Sequence, residues 1–387
     1  MSVGGIVMII QSKKVWISGN FIPAQIEIVN DKIVSVYAYG SKEVDIDYEA
    51  KRITPGFIDI HTHGGYGFDT NDGDRDALIN WIKNIPADEG VTGVLPTTIT
   101  QSVDILTNAL KNVANVKDAN INGAEILGVH FEGPYLSVPY KGAQPEQFIV
   151  DSNVEQFKMY QEAANGLIKV MTMACEKDED HKLTKYASNN GVVVSIGHSG
   201  STFEEAQLAV ANGATSMTHV YNGMTPFHHR NIGLIGAALR FRDVYGEVVV
   251  DGCHCDLNAV NMLFASKGRD YTITITDSLR AKGLAKGKYL SGGLEMEIFD
   301  DGSAHLMDEK RTLAGSTLKM NQALKILIED AQVAVDAAIN SITLNPARLL
   351  KVDNRVGKIC SGYDANIVVL NDDYSIEQTY VKGLKQK

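Results

Sequence analysis

The run "GFIDIHTH", residues 56–63, decides the fold. Its opening part is almost wholly apolar and short, as expected of a strand buried on both faces of a parallel sheet. It is followed by "DALINWIKNIPADEG", where Leu78, Trp81, Ile82 and Ile85 recur close to the 3.6-residue period of an amphipathic helix. The alternation then repeats. Strand candidates "TGVLPT", "EILGVHF", "LIKVMTMA", "VVVSIG", "TSMTH", "GEVVVDG" and "YTITIT" follow in order. Helical stretches "SVDILTNALKNV", "VEQFKMYQEAA", "DHKLTKYASNN", "TFEEAQLAVANG", "LNAVNMLFASKG" and "STLKMNQALKILIED" come after most of them, while "TSMTH" leads into a long loop. Eight such units predict an α/β fold of the (β/α)8 TIM-like barrel type. A doubly wound open sheet is the alternative, but no strand is followed by G-x-G-x-x-G or G-x-x-x-x-G-K-[ST].

The two ends read differently. "KVWISGNFIPAQIEIVNDKIVSVYAYG" holds β-rich runs with a turn at Asn30-Asp31, and "GYDANIVVLNDDYSIEQTYVKG" has the same character with a turn at Asn371-Asp372. Neither end has enough residues for a core of its own. The expected division is therefore a small, discontinuous β-sandwich domain from residues 1–54 and 354–387 beside a barrel over 55–353. "GGLEMEIFDDGSAHLMD" reads as a β-hairpin turning at Asp301-Gly302.

Composition bounds the rest. Of 387 residues 44% are hydrophobic and 21% charged, which excludes a disordered chain. Lys plus Arg is 36 against 47 Asp plus Glu, so the net charge of −11 argues against a nucleic-acid or membrane-surface partner. The four cysteines, Cys175, Cys253, Cys255 and Cys360, are too few for a disulfide framework. Cys253 and Cys255 flank His254, and on a strand they would point away from it. The only apolar run near the start is too short for a signal-peptide core or a membrane span, so a reduced, cytoplasmic protein is expected.

In a barrel, chemistry sits at the C-terminal ends of the strands. Strand one ends in His61-Thr62-His63, strand three carries His130 and ends in Glu132, and strands five and six end in His198 and His219. Strand seven runs into His254 and strand eight ends in Asp277. Singly, each such histidine reads as a hydrogen-bonded structural residue. Together, H-x-H with Glu132, His198 and His219 is the His and carboxylate mixture that suits a divalent ion such as zinc. A bound divalent ion lowers the pKa of water from 15.7 towards about 7. Asp277 is the carboxylate placed to shuttle the proton, and His254 can polarise the carbonyl. The set points to metal-assisted hydrolysis of an amide or ester.

These residues resemble the amidohydrolase superfamily, and within it the N-acetylglucosamine-6-phosphate deacetylases. The resemblance is carried by "PGFIDIHTHGGYGFDT", "GVHFEGPYLSVPYKGAQPEQFI", "SIGHSGSTFEEA", "MTHVYNGMTPFHHRNIGLIGAAL", "VVVDGCHCD", "TITDSLRAKG" and "LAGSTLKM", with "ARLLKVDNRVGKICSGYDANIVVLN" leading into the small β-domain. It implies that Glu132, His198 and His219 are core metal ligands. It implies that His61 and His63 add a place for a second ion, with Glu132 bridging. One or two ions are thus expected per chain, zinc first, with iron, manganese or cobalt as alternatives. By the same resemblance Asp277 is the acid/base and His254 contacts the substrate near the scissile carbonyl. Asn222 and Gly223 meet the phosphate with Arg230, Ala143 and Gln144 contact the sugar, and Leu313, Ala314 and Gly315 meet the acetyl group. A phosphorylated amino sugar is the implied substrate, in amino-sugar catabolism and cell-wall sugar recycling. A homodimer is implied, with Arg230 a candidate to reach the neighbouring subunit's site. Some members have His where this chain has Gln144, which can hydrogen-bond but carries no charge. "LIKVMTMACE" lacks the lysine that bridges two metals in the dihydroorotase and hydantoinase branches.

The residues themselves agree on the phosphate. "FHHRN", residues 227–231, is a cationic patch in an acidic chain, and Arg presents a planar fork to phosphate oxygens. Two other readings stand beside the leading one. One is the same chemistry on N-acetylgalactosamine 6-phosphate or another N-acyl compound. The other is a non-catalytic scaffold, which the retained ligand set disfavours.

Overall fold

The structure, a computed structural model, describes residues 7–119 and 121–386. The barrel strands are β1 (Phe57–Thr62), β2 (Val91–Thr98), β3 (Val129–Glu132), β4 (Ile168–Met173), β5 (Val193–Ile196), β6 (Ala214–Met217), β7 (Tyr245–Val249) and β8 (Thr272–Ile275). Each pairs in parallel with the next. The seam between β8 and β1 is tied by the Asp277 N–H donating to the His61 carbonyl at 2.9 Å. The Thr276 hydroxyl donates to Asp59 at 2.6 Å across the same seam. The expected barrel is therefore the observed one. Its third strand is split: Glu125–Ile126 pairs with β2 before the chain resumes as β3.

Among the described residues ten α-helices surround the strands: α1 (Arg75–Glu89), α2 (Val103–Asp118), α3 (Val154–Ala163), α4 (Lys182–Asn189), α5 (Phe203–Ala211), α6 (Gly233–Arg240), α7 (Leu257–Lys267), α8 (Met320–Lys325), α9 (Val335–Ile342) and α10 (Leu344–Leu349), the last two packing on β8 and β1. In α1, Leu78, Trp81, Ile82 and Ile85 are buried, as their spacing requires, and Asp74 caps the first turn. Two helices depart from the sequence reading. The stretch after β6 is not all loop, because α6 closes it; Gly233 and Gly236 are poor helix formers in so short a segment, so propensity does not announce it. Helix α8 starts at Met320, not Ser316, because the Ser316 N–H is engaged by the Asp277 carbonyl at 2.8 Å. Residues 253–255 lie in a loop, so strand alternation does not apply to them: Cys253 is exposed and Cys255 buried.

Both chain ends enter one eight-stranded sheet, in which Arg52–Pro55 runs antiparallel to Ile367–Leu370. Ile10, Ile26 and Ile53 from one end and Ile367, Val369 and Tyr380 from the other share a core. The expected hairpin is present, extended to three strands, Gly287–Ser291, Leu294–Ile298 and Ala304–Leu306. Its Met296 and Leu306 pack with Ile99, Leu279 and Ala314 at the barrel mouth. Among the described residues no helix is long and apolar enough to cross a membrane.

Candidate metal centre and active site

The C-terminal strand ends converge on Glu132. Its Oε1 lies 3.2 Å from Nε2 of His198 and 3.2 Å from Nε2 of His219. Its Oε2 lies 3.3 Å from Nε2 of His63. Asp277 Oδ1 is 3.1 Å from His63 Nε2 and 3.5 Å from His61 Nε2. All six side chains are buried. His198, His219 and Asp277 each take a left-handed backbone, with φ of 46°, 29° and 47°, where the chain leaves its strand.

The hydrogen bonds on the far side of each ring decide what the near side offers. Nδ1 of His198 faces the Tyr140 carbonyl at 2.8 Å, and that of His219 the Asn222 carbonyl at 3.2 Å. Nδ1 of His63 faces the Thr97 carbonyl at 3.2 Å, and that of His61 the Glu247 carboxylate at 3.0 Å. Those oxygens only accept, so each Nδ1 donates and each neutral ring presents a lone pair at Nε2. Nε2 of His198 and of His219 then oppose each other at 3.1 Å, and Nε2 of His61 has no hydrogen-bond partner. Lone pairs and carboxylates facing one another in a buried site require a cation between them. The residues thus fit a divalent ion in two groups that share Glu132: Glu132 with His198 and His219, and Glu132 with His61 and His63.

The carboxylates dominate the field. Burial alone would lower the His63 pKa, yet Asp277 and Glu132 raise it to about 9, so a proton and a metal ion compete for its Nε2. Burial would raise the Glu132 carboxyl, but His61, His198 and His219 hold it well below the usual range. Asp277 is depressed in the same way, by His61 and His63. The site therefore carries a strong negative potential that favours any bound cation. His130 differs: its nitrogens are spent on the Ile60 carbonyl at 2.8 Å and the Thr172 hydroxyl at 2.7 Å, so it is a structural histidine.

Above this cluster lies a cavity of about 210 Å³. His254 lines it, with Nδ1 held by Asp251 at 2.7 Å. Burial would lower the His254 pKa, but the bond and the charge of Asp251 raise it above the ordinary value. Ala143, Gln144, Asn222 and Gly223 line one side, and Leu313, Ala314 and Gly315 another. Gly223 has φ +59°, and a Cβ there would lie 3.0 Å from His198 Nδ1, so only glycine fits against the ligand. Gln144 is committed at both ends of its amide. Its oxygen accepts from the Thr100 N–H at 2.8 Å and its nitrogen donates to Glu132 Oε2 at 2.7 Å. His61 sits below the cavity floor rather than in its lining, and Arg230 is not part of the lining either. Arg230 is exposed on the loop after β6, its guanidinium 2.8 Å from His229 Nε2.

Sequence reasoning missed three features. Asp251 stands three residues before His254, a spacing that allows the contact. Glu247 was signalled as a lone charge in the strand "YGEVV". The apolar wall of Ile99, Leu279, Met296 and Leu306 comes from segments far apart in sequence, and nothing local announces it.

A parallel barrel with a His and carboxylate cluster at its C-terminal mouth defines the metal-assisted hydrolase class. The chain belongs to the amidohydrolase family, whose pattern it matches over residues 52–385. It is 38% identical over 346 residues, 89% of this chain and 86% of the relative, to an N-acetylglucosamine-6-phosphate deacetylase of Bacillus subtilis (strain 168). It is 31% identical, over 87% of this chain and 88% of the relative, to an N-acetylgalactosamine-6-phosphate deacetylase of Escherichia coli O157:H7. Among solved structures it is similar to a Mycobacterium smegmatis N-acetyl-D-glucosamine-6-phosphate deacetylase variant in complex with N-acetyl-D-glucosamine-6-phosphate. That match has a TM-score of 0.93 and 26% identity, over 98% of this chain and 99% of the other. The Thermotoga maritima N-acetylglucosamine-6-phosphate deacetylase matches with a TM-score of 0.88 and 30% identity, over 98% of this chain and 99% of the other.

Proposed function

We propose that this chain hydrolyses N-acetylglucosamine 6-phosphate to glucosamine 6-phosphate and acetate, in amino-sugar catabolism and cell-wall sugar recycling. The observation that carries the reading is the placement of Asp277 Oδ1 beside His63 Nε2 at 3.1 Å, on the floor of a cavity large enough for part of a sugar. Glu132, His198 and His219 would hold one divalent ion, and His61 and His63 with Glu132 would hold a second where two bind. Zinc suits these donors, as do iron, manganese and cobalt. When bound, such an ion supplies Lewis acidity toward a water and a carbonyl oxygen.

The protein's own groups do the rest. The Asp277 carboxylate takes a proton from the water that attacks the amide carbonyl carbon. It returns that proton to the sugar nitrogen as the C–N bond breaks, so acetate and the free amine leave. The His254 imidazolium, held by Asp251, hydrogen-bonds the carbonyl oxygen as negative charge develops there. Ala143 and Gln144 contact the sugar, Asn222 and Gly223 meet its phosphate, and Leu313, Ala314 and Gly315 bound the acetyl group. Arg230 binds the phosphate. Its exposure in a single chain supports a homodimer in which it reaches the neighbouring cavity. The division into a β-domain of residues 1–54 and 354–387 and a barrel of 55–353, and a cytoplasmic location, belong to the same reading.

The test is acetate release from the gluco and galacto 6-phosphates, with and without chelator and with zinc restored. Metal-dependent release from the gluco sugar is expected. No release from it by the zinc-restored protein rejects the reading, and faster release from the galacto epimer reassigns the substrate.

A further inference from the structure

Glu247 has no part in the chemistry just described. It lies on β7, wholly buried, and does not line the cavity. Its Oε2 accepts from His61 Nδ1 at 3.0 Å, and its Oε1 has no hydrogen-bond partner among the described residues. A carboxylate with one hydrogen bond, from a neutral ring, is costly to bury. His130, whose ring packs against His61 at 4.4 Å, offers no relief because both its nitrogens are engaged elsewhere.

The four ligand histidines are not held alike. His63, His198 and His219 donate Nδ1 to backbone carbonyls, whereas His61 alone donates to a carboxylate. A carboxylate acceptor makes the opposite ring nitrogen a stronger donor than a carbonyl does. His61 belongs to the group with His63 and Glu132 and to one with His130 and Glu247, whose His130 nitrogens are already engaged, but not to the group of Glu132, His198 and His219.

We propose that Glu247 is a positioning residue for the second divalent ion: acting through His61, it fixes the Nδ1-protonated tautomer and strengthens Nε2 as a ligand, leaving the first ion's ligands untouched. This rests on reading the cluster as a metal centre.

The experiment compares wild type with Glu247→Gln after chelator stripping. Zinc is titrated in competition with a chromophoric chelator, manganese-loaded samples are examined by EPR for spin coupling between neighbouring ions, and the metal-free forms are melted. Two ions and a coupled signal are expected in wild type. The variant keeps the first ion at unchanged affinity, binds the second about 10–100-fold more weakly, and loses the coupled signal. Its metal-free form melts no lower than metal-free wild type, because an uncompensated buried carboxylate is gone. A merely structural Glu247 would instead lower that melting temperature. The proposal is overturned by an unchanged second-ion affinity, by equal weakening of both ions, or by a lower metal-free melting temperature. A wild type that takes up one ion overturns the two-ion assignment, and one that takes up none overturns the metal-centre reading itself. If Glu247→Gln does not accumulate folded, Glu247→Asp withdraws the carboxylate from His61 by one methylene and is expected to show the same selective loss.

Discussion

Asp251→Asn tests the electrostatic half of the proposed mechanism. His254 is caught between two opposing effects: burial pushes its pKa down, and Asp251, at 2.7 Å from Nδ1, pushes it up and prevails. A hydrogen bond between charged partners contributes about 1.5–3 kcal/mol. Its loss lowers the His254 pKa, and a change of about 1.5–3 kcal/mol is about 10–100-fold in the protonation equilibrium. The sign follows directly. The imidazolium form is present below the pKa and lost above it, so the descending limb of the pH–rate profile moves to lower pH. At a fixed pH above both limbs the active fraction falls tenfold per unit, so kcat should drop about 10–100-fold. The drop should shrink as the pH is lowered toward 6. The assay is initial-rate acetate release between pH 6 and 9, with kcat and KM fitted separately and bound metal measured in parallel. Because the bond strengthens as charge develops on the carbonyl oxygen, the loss belongs mainly in kcat. An unshifted profile, or an equal loss at every pH with metal content unchanged, would refute the role given to the Asp251–His254 pair.

Three further outcomes are expected. Asp277→Asn should keep metal and substrate binding, measured by metal analysis and calorimetry, while losing about 10²–10⁴-fold in kcat; near-normal turnover would remove Asp277 from the proton path. Arg230→Ala should raise KM for the phosphorylated sugar and leave the unphosphorylated one unchanged; equal losses on both would end its phosphate assignment. Lys282 and Glu89 form an ion pair at 2.8 Å with side-chain exposures of 2% and 0%. Lys282→Met strands the carboxylate and should cost about 3–5 kcal/mol in denaturant unfolding. Adding Glu89→Gln should recover much of that, and no recovery would mean that the charge is not what the variant exposed.

The barrel was legible because its two element types carry different periods. Buried strands such as "VVVSIG" read as apolar runs, and α1 reads as a stripe. Helix α6 escaped because Gly233 and Gly236 lower the helix propensity of a short segment, and Ser316 was misplaced because a tertiary bond to Asp277 takes it out of α8. At the site, the strand-end residues could be listed from sequence because barrel topology brings strand ends together whatever their spacing. Their partners could not. Glu247 meets His61 across 186 residues, and Gln144, expected to contact the sugar, also spans Thr100 and Glu132. Arg230 shows a different limit: its residue type points to phosphate, but the fold of one chain leaves it outside the cavity, and no local pattern encodes a second copy.

The strained backbone ties the cavity loops to the strand-end cluster. A left-handed, non-glycine residue costs of order 1–3 kcal/mol, and His198, His219 and Asp277 each adopt one. The turn is needed because the chain must leave the barrel while the side chain stays over its axis. In each case a loop N–H holds the strained residue's carbonyl: Ser137 on His198 at 2.9 Å, Asn222 on His219 at 3.0 Å, and Ser316 on Asp277 at 2.8 Å. Asn222 lines the cavity, and Ser316 directly follows the lining segment 313–315. At Gly315 that segment passes so close that a Cβ would lie 2.8 Å from the Asp277 carbonyl oxygen. The segment proposed to bound the acetyl group therefore also braces the proposed proton carrier.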